Sequence, residues 1–145
     1  MNSKIEILLV EDNLNDAEMT QRALKKANIT NPVIHLSDGV IALDFLFSTG
    51  EYEGLNLDNK PKVILLDIKM PRIDGIEVLR RLRADERTRK IPVVMLTSSK
   101  EHPDVNRCYE LGANSYIVKP VDFENFAQAL STIGVYWVLL NEPSI

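Results

Sequence analysis

Several kinds of residue are scarce in this chain, and each scarcity removes a class of function. It holds one cysteine, Cys108, in 145 residues, which excludes an internal disulfide and leaves too few thiolates for a zinc site. Sharing a helical repeat with Val105, Cys108 reads as a small core residue. The two histidines, His35 and His102, stand apart from other ligand-type side chains, so neither a histidine metal site nor a hydrolytic triad is expected. No apolar run approaches membrane-spanning length, and Met1-Asn2-Ser3-Lys4 leads straight into a strand pattern without an export signal. A soluble cytoplasmic protein with no membrane partner is the expectation. Positive charge is also short: a net charge of -4 and a pI near 5.2 disfavour a nucleic-acid surface, which needs cations gathered on one face. Arg80, Arg81, Arg83, Arg87, Arg89 and Lys90 do gather, but Glu77, Asp85 and Glu86 are interleaved with them, as on a solvated helix face and loop.

What the chain does have is an alternation of strand and helix patterns. With 45% hydrophobic and 26% charged residues, it suits one compact domain. The expected domain spans 1–145, with a core of about 4–130 and a helical extension of about 131–145. Strand patterns recur at Ile5 to Val10, Val33 to Leu36, Val63 to Leu66, Val93 to Leu96 and Ser115 to Val118. Helical stripes fill the intervals: Met19, Ala23 and Ala27; Ala42, Leu43 and Leu46; Ile76, Leu79 and Leu82; Val105 and Cys108. A last helix starts near Asp122 and carries Phe123, Phe126, Leu130, Ile133, Trp137 and Leu140 on one stripe. Five βα units in succession predict an α/β fold, a doubly wound parallel sheet with right-handed crossovers and helices on both faces. The one irregular insertion, Ser48 to Lys62, precedes the third strand and is expected to emerge away from the strand tips.

The tips carry the chemistry. Val63-Ile64-Leu65-Leu66 ends in Asp67, and Pro71 and Gly75 bound the loop that follows. The first strand ends in Glu11-Asp12-Asn13, whose simplest use is to cap the next helix. Capping does not account for three carboxylates at one sheet edge, since each pair about 4 Å apart repels by roughly 4 kcal/mol at an effective dielectric of 20. A hard divalent cation relieves that repulsion. Mg²⁺ suits Asp12 and Asp67 as direct ligands and Glu11 through water, and no calcium-loop spacing occurs. The fourth strand ends in Thr97-Ser98-Ser99 and the fifth in Lys119-Pro120. A hydroxyl donor and a mobile cation beside the carboxylates make a site for an anion bound through metal, the obvious one being a phosphoryl group. Without ligand, Lys119 is expected to partner the carboxylates.

Glu11-Asp12, Asp67 with Met70-Pro71 and Gly75, Thr97-Ser98, Tyr116 and Lys119-Pro120 together closely resemble the receiver domain of two-component response regulators, the chemotaxis-regulator-like family. The resemblance covers essentially the whole chain and implies a flavodoxin-like (βα)5 sheet of order 2-1-3-4-5. It implies that Asp67 accepts a phosphoryl group from a phosphohistidine on a sensor histidine kinase. Mg²⁺ would be held by Asp12, Asp67 and the backbone carbonyl of Lys69, with Glu11 assisting through water. Thr97 and Lys119 would bind phosphoryl oxygens, and Tyr116 would be the switch aromatic that turns inward as Thr97 moves. Lys69 and Ser99 would flank the path of hydrolytic water and set the phosphoryl lifetime. The insertion, the run from Leu111 to Tyr116 and the ending from Tyr136 to Pro143 resemble small stand-alone regulators paired with phytochrome-type histidine kinases. Such a protein is a phosphoacceptor that assists its own phosphorylation and dephosphorylation, and not an enzyme with a turned-over substrate.

No output domain is expected after the last helix, so the signal would leave by contact. Val135 to Leu140 is apolar all round, and packing one stripe would leave Val135, Val138 or Leu139 exposed, so Val135, Trp137, Val138 and Leu139 are the expected contact patch for a homodimer or partner. Two rival functions fit less well. A haloacid-dehalogenase-type phosphatase wants a second Asp two residues after the nucleophile, where this chain has Lys69. A flavodoxin-like cofactor module needs a phosphate-cradling loop, and Glu11, Asp12 and Asp16 would repel that phosphate.

Overall fold

The computed structural model describes residues 7–27, 29, 32–54, 61–97, 102–119 and 121–132. The elements alternate strictly: β1 (Ile7–Val10), α1 (Leu14–Lys26), β2 (Val33–Leu36), α2 (Gly39–Phe47), β3 (Val63–Asp67), α3 (Gly75–Arg83), β4 (Val93–Thr97), α4 (His102–Glu110), β5 (Ser115–Val118) and α5 (Phe123–Thr132). All strands are parallel in the order β2-β1-β3-β4-β5, as the resemblance implies. The three central strands are buried at every residue, which is why their sequences run apolar without alternation. Among the described residues no helix is long and apolar enough to cross a membrane.

Period-2 alternation divides the sheet into two cores. Ile7, Leu9, Val63, Leu65, Val94, Leu96 and Ile117 face α1 and α5, while Leu8, Val10, Ile64, Leu66, Val93 and Met95 face α2, α3 and α4. On α1 the buried face is Ala17, Thr20, Ala23 and Leu24, which corrects the expected stripe through Met19. Met19 is exposed because the sheet-facing stripe starts at Ala17 and runs through positions three and four residues on. Thr20 is tolerated inside because its hydroxyl donates to Asp16 O at 3.0 Å. The inserted segment forms a short 3₁₀ turn at Gly50–Tyr52, and Tyr52 meets Phe45 edge to face with ring centroids 5.2 Å apart.

The charged stretch from Arg80 to Lys90 is mostly the solvated surface expected: Glu77 pairs with Arg80 and Arg81, and Asp85 with Arg87. Arg83 is the exception. Its guanidinium donates to Gly112 O at 2.9 Å, Arg89 O at 3.1 Å, Ile91 O at 2.9 Å and Asn114 Oδ1 at 3.0 Å. It therefore ties the end of α3 to the starts of β4 and β5, and burial lowers its pKa.

Candidate functional site

The chain leaves β1 to form β2 on one side and returns to form β3 on the other, so a crevice opens beyond the carboxyl ends of β1 and β3. Register and parity then decide which side chains enter it. Val10 pairs with Leu66, so Glu11 and Asp67, one residue further on, lie side by side. Both continue the alternation toward the α1 and α5 side, as does Lys119, two residues after Ile117. Thr97 has the opposite parity, following Leu96, and closes β4 next to Val118.

Oxygens of Glu11, Asp12 and Asp67 come within 4.8 Å of one another. Lys119 Nζ stands among them, 2.6 Å from Glu11 Oε1, 3.1 Å from Asp67 Oδ1 and 3.0 Å from Asp16 Oδ2. Lys119 partners the carboxylates, as expected. Neither Glu11 nor Asp12 is the helix cap. That role belongs to Asn13, whose Oδ1 accepts from Asp16 N at 3.0 Å. Glu11 is fully buried, and its Oε2 accepts from Asn13 N at 3.2 Å. Its Oε1 touches the ammonium but has no hydrogen bond of good geometry. His35, expected to stand apart, lies with Nε2 2.8 Å from Glu11 O; because a carbonyl only accepts, Nε2 carries the proton, and the ring braces Glu11 without serving as a ligand.

Burial, reinforced by the neighbouring charge of Glu11, raises the Asp67 pKa to about 7 against the lowering influence of Lys119. Burial works against the Lys119 charge, yet its close contacts with Glu11 and Asp16 and the charges of Asp67 and Glu11 outweigh it and raise its pKa. One cation thus serves an excess of carboxylates. A buried carboxylate oxygen without a good hydrogen bond, together with three convergent oxygen donors, fits a hard divalent cation in this cavity of about 200 Å³. Lys69 also lines the cavity, with Asn13 and Asp16.

The structure therefore brings together Glu11, Asp12, Asp67, Lys69 and Lys119. Thr97 is buried at the same edge without lining the cavity. Tyr116 points outward from β5 and packs edge to face on Tyr109, with ring centroids 5.8 Å apart. The role of Asp16 was missed from sequence. Its position four residues after Asp12 places it one helical turn above the same edge, but its contact with Lys119 spans 103 residues of chain. Pro120 and the proposed contact residues Val135, Trp137, Val138 and Leu139 lie outside the described residues.

Residues 7–131 match the response regulator receiver domain, and the chain belongs to that family. Over 132 residues it is 41% identical to the probable methanogenesis regulatory protein FilR2 of Methanothrix harundinacea, covering 91% of this chain and 83% of the relative. Over 132 residues it is 38% identical to response regulator Rcp1 of Synechocystis, covering 91% and 88%. The Mn²⁺-bound form of Rcp1 superposes with a TM-score of 0.75 at 35% identity, over 97% of this chain and 98% of that one. The bacteriophytochrome response regulator RtBRR superposes with a TM-score of 0.85 at 47% identity, over 97% and 84%. Members of the family are two-component signalling proteins that bind divalent metal at the acidic pocket and are phosphorylated on aspartate.

Proposed function

We propose that this chain acts as a free-standing cytoplasmic response regulator in which Asp67 is the phosphoacceptor. The observation that carries the reading is the register-matched pair Glu11 and Asp67, buried with Lys119 between them. An Asp67 oxygen attacks the phosphorus of a phosphohistidine on the sensor kinase; the P–N bond breaks, the imidazole leaves, and an acyl phosphate forms. Asp12, Asp67 and the Lys69 backbone carbonyl would hold Mg²⁺, with Glu11 assisting through water. When bound, the ion neutralises carboxylate and phosphoryl charge. Lys119 exchanges its contacts with Glu11 and Asp16 for a phosphoryl oxygen, and the Thr97 hydroxyl donates to another. Drawing Thr97 toward the phosphoryl group frees room on the α4 side of the sheet, into which Tyr116 turns. Water attack on the acyl phosphate at the same site resets the switch, with Lys69 beside its path; Ser99, expected to share that role, lies outside the described residues.

The likeness to the bacteriophytochrome response regulator RtBRR supports a phytochrome-type histidine kinase as the partner. The apolar sequence from Val135 to Leu140 is the contact through which the chain forms a homodimer or engages its target. Light scattering across concentration tests the dimer, and a strictly monomeric protein with and without phosphoryl mimic contradicts it.

Intact mass after incubation with acetyl phosphate tests the acceptor. A single Mg²⁺-dependent phosphoryl adduct, lost in Asp67→Asn, is expected. An adduct that persists in Asp67→Asn places the acceptor elsewhere.

A further inference from the structure

Outside the acidic cavity, one charged contact joins the loop after Asp67 to a different corner of the sheet. Residues 68–74 lead from β3 to α3. Gly75 N donates to Ile68 O at 2.7 Å, and a Cβ on Gly75 would lie 2.1 Å from Asp67 O, so the loop closes directly on the acceptor's own carbonyl. At its apex Ile73 N donates to Pro71 O at 2.8 Å, forming a γ-turn centred on Arg72 at φ 68°. Positive φ is uncommon for a long side chain, and γ-turns of this hand are rare and strained. The turn needs an external hold.

Asp38 supplies one. Arg72 Nε donates to Asp38 Oδ2 at 3.1 Å, and Nη2 pairs with the same oxygen. Asp38 is itself fixed, because its Oδ1 caps α2 by accepting from Ile41 N at 2.8 Å. The next residue, Gly39, packs on the same loop: a Cβ there would meet Ile73 Cγ1 at 2.8 Å and Ile73 O at 3.1 Å. Two adjacent residues at the start of α2 therefore grip two adjacent residues of the loop.

We propose that Arg72 is a positioning residue for phosphoacceptor chemistry, its ion pair with Asp38 latching the 68–74 loop to α2 and so fixing the Lys69 carbonyl beside Asp67. The inference rests on the reading of Asp67 as acceptor. Neither Arg72 nor Asp38 lines the acidic cavity, so the latch acts through loop backbone. An exposed ion pair contributes little to global stability, whereas a small displacement of a ligand or reacting group costs affinity and rate steeply.

Two substitutions separate the latch from the fold. Arg72→Gly keeps the positive φ and deletes the guanidinium; Asp38→Asn keeps an oxygen for the α2 cap and deletes the charge. For the unsubstituted chain, both single variants and the double, calorimetry reads Mg²⁺ affinity and intact mass reads the rate of adduct formation from acetyl phosphate. Each single substitution is expected to lower both by about threefold to fivefold, with the double no worse than either because one contact is removed in all three. Arg72→Lys is expected to recover part of the loss, and urea midpoints to stay nearly constant. Variants that match the unsubstituted chain, or losses that add in the double, overturn the latch. An unsubstituted chain that neither binds Mg²⁺ nor forms an adduct overturns the acceptor reading, and the latch falls with it.

Discussion

Two clusters made from the same kinds of charged side chain behave in opposite ways. On α3, Glu77 accepts from Arg80 at 2.9 Å and from Arg81 at 2.8 Å at the solvent boundary, and these guanidiniums hold its pKa down to about 2. At the strand tips, one ammonium faces Glu11, Asp16 and Asp67, and the Asp67 pKa moves up to about 7 because burial and Glu11 outweigh Lys119. The first cluster has cations in excess and water to relax it. The second has carboxylates in excess and little water, so charge remains uncompensated until a further cation arrives. Counting ion pairs would rank the two alike; burial and stoichiometry separate them.

The largest effect on this contrast is expected from removing Lys119, the cation paired with these carboxylates among the described residues. Lys119→Met leaves buried Glu11 and Asp67 without a counter-charge, and at pH 8 in chelator it is expected to cost about 3 kcal/mol of unfolding free energy. Mg²⁺ should return most of that loss. Urea unfolding with and without Mg²⁺ measures both, and a variant as stable as the parent in chelator contradicts the account.

A smaller effect follows from protonation. The folded pKa of Asp67, about 7, lies above the unfolded value of about 3.9, so the folded state binds the extra proton. Its stabilising contribution is complete below the unfolded value and is lost as pH rises through the folded one. In chelator, the urea midpoint is expected to fall between pH 5 and pH 8, roughly the window in which Asp67 ionises, and the fall should vanish in Asp67→Asn. Mg²⁺ affinity should weaken as pH drops through the same window, because the protonated carboxyl is a poor ligand. A midpoint that rises with pH equally in both proteins contradicts the assignment.

The smallest effect belongs to the exposed cluster. Glu77→Gln should lower the melting temperature only slightly, by an amount that added salt erases, with no change in the Mg²⁺ response. A large, salt-independent loss would mean that the α3 pairs are not the solvated contacts described.

How far sequence foresaw these sites depended on whether an interaction was local and periodic. Alternation and apolar runs located all five strands, and the strand ends delivered Glu11, Asp12, Asp67, Thr97 and Lys119 to one edge. The same period-2 rule also separates Thr97 from Lys119, since Thr97 follows Leu96 and Lys119 lies two residues after Ile117 on a common face. Arg83 was hidden among five neighbouring cations. Only tertiary structure brings four oxygens from Gly112, Arg89, Ile91 and Asn114 around it. Met19 was misassigned because Met fits an apolar stripe by type, while Thr20, polar by type, is the buried residue once its hydroxyl finds Asp16 O. The Arg72–Asp38 pair left no local signature, as its partners lie 34 residues apart.

On the reading proposed for Asp67, a divalent cation bound to it and its neighbours relieves the uncompensated charge at the strand tips. Melting temperatures of the unsubstituted chain and Asp67→Asn, each in chelator and in saturating Mg²⁺, test it most directly. Asp67→Asn is expected to melt higher than the parent in chelator and to gain much less from Mg²⁺. Equal Mg²⁺ stabilisation of the two proteins would put the ion elsewhere and contradict it.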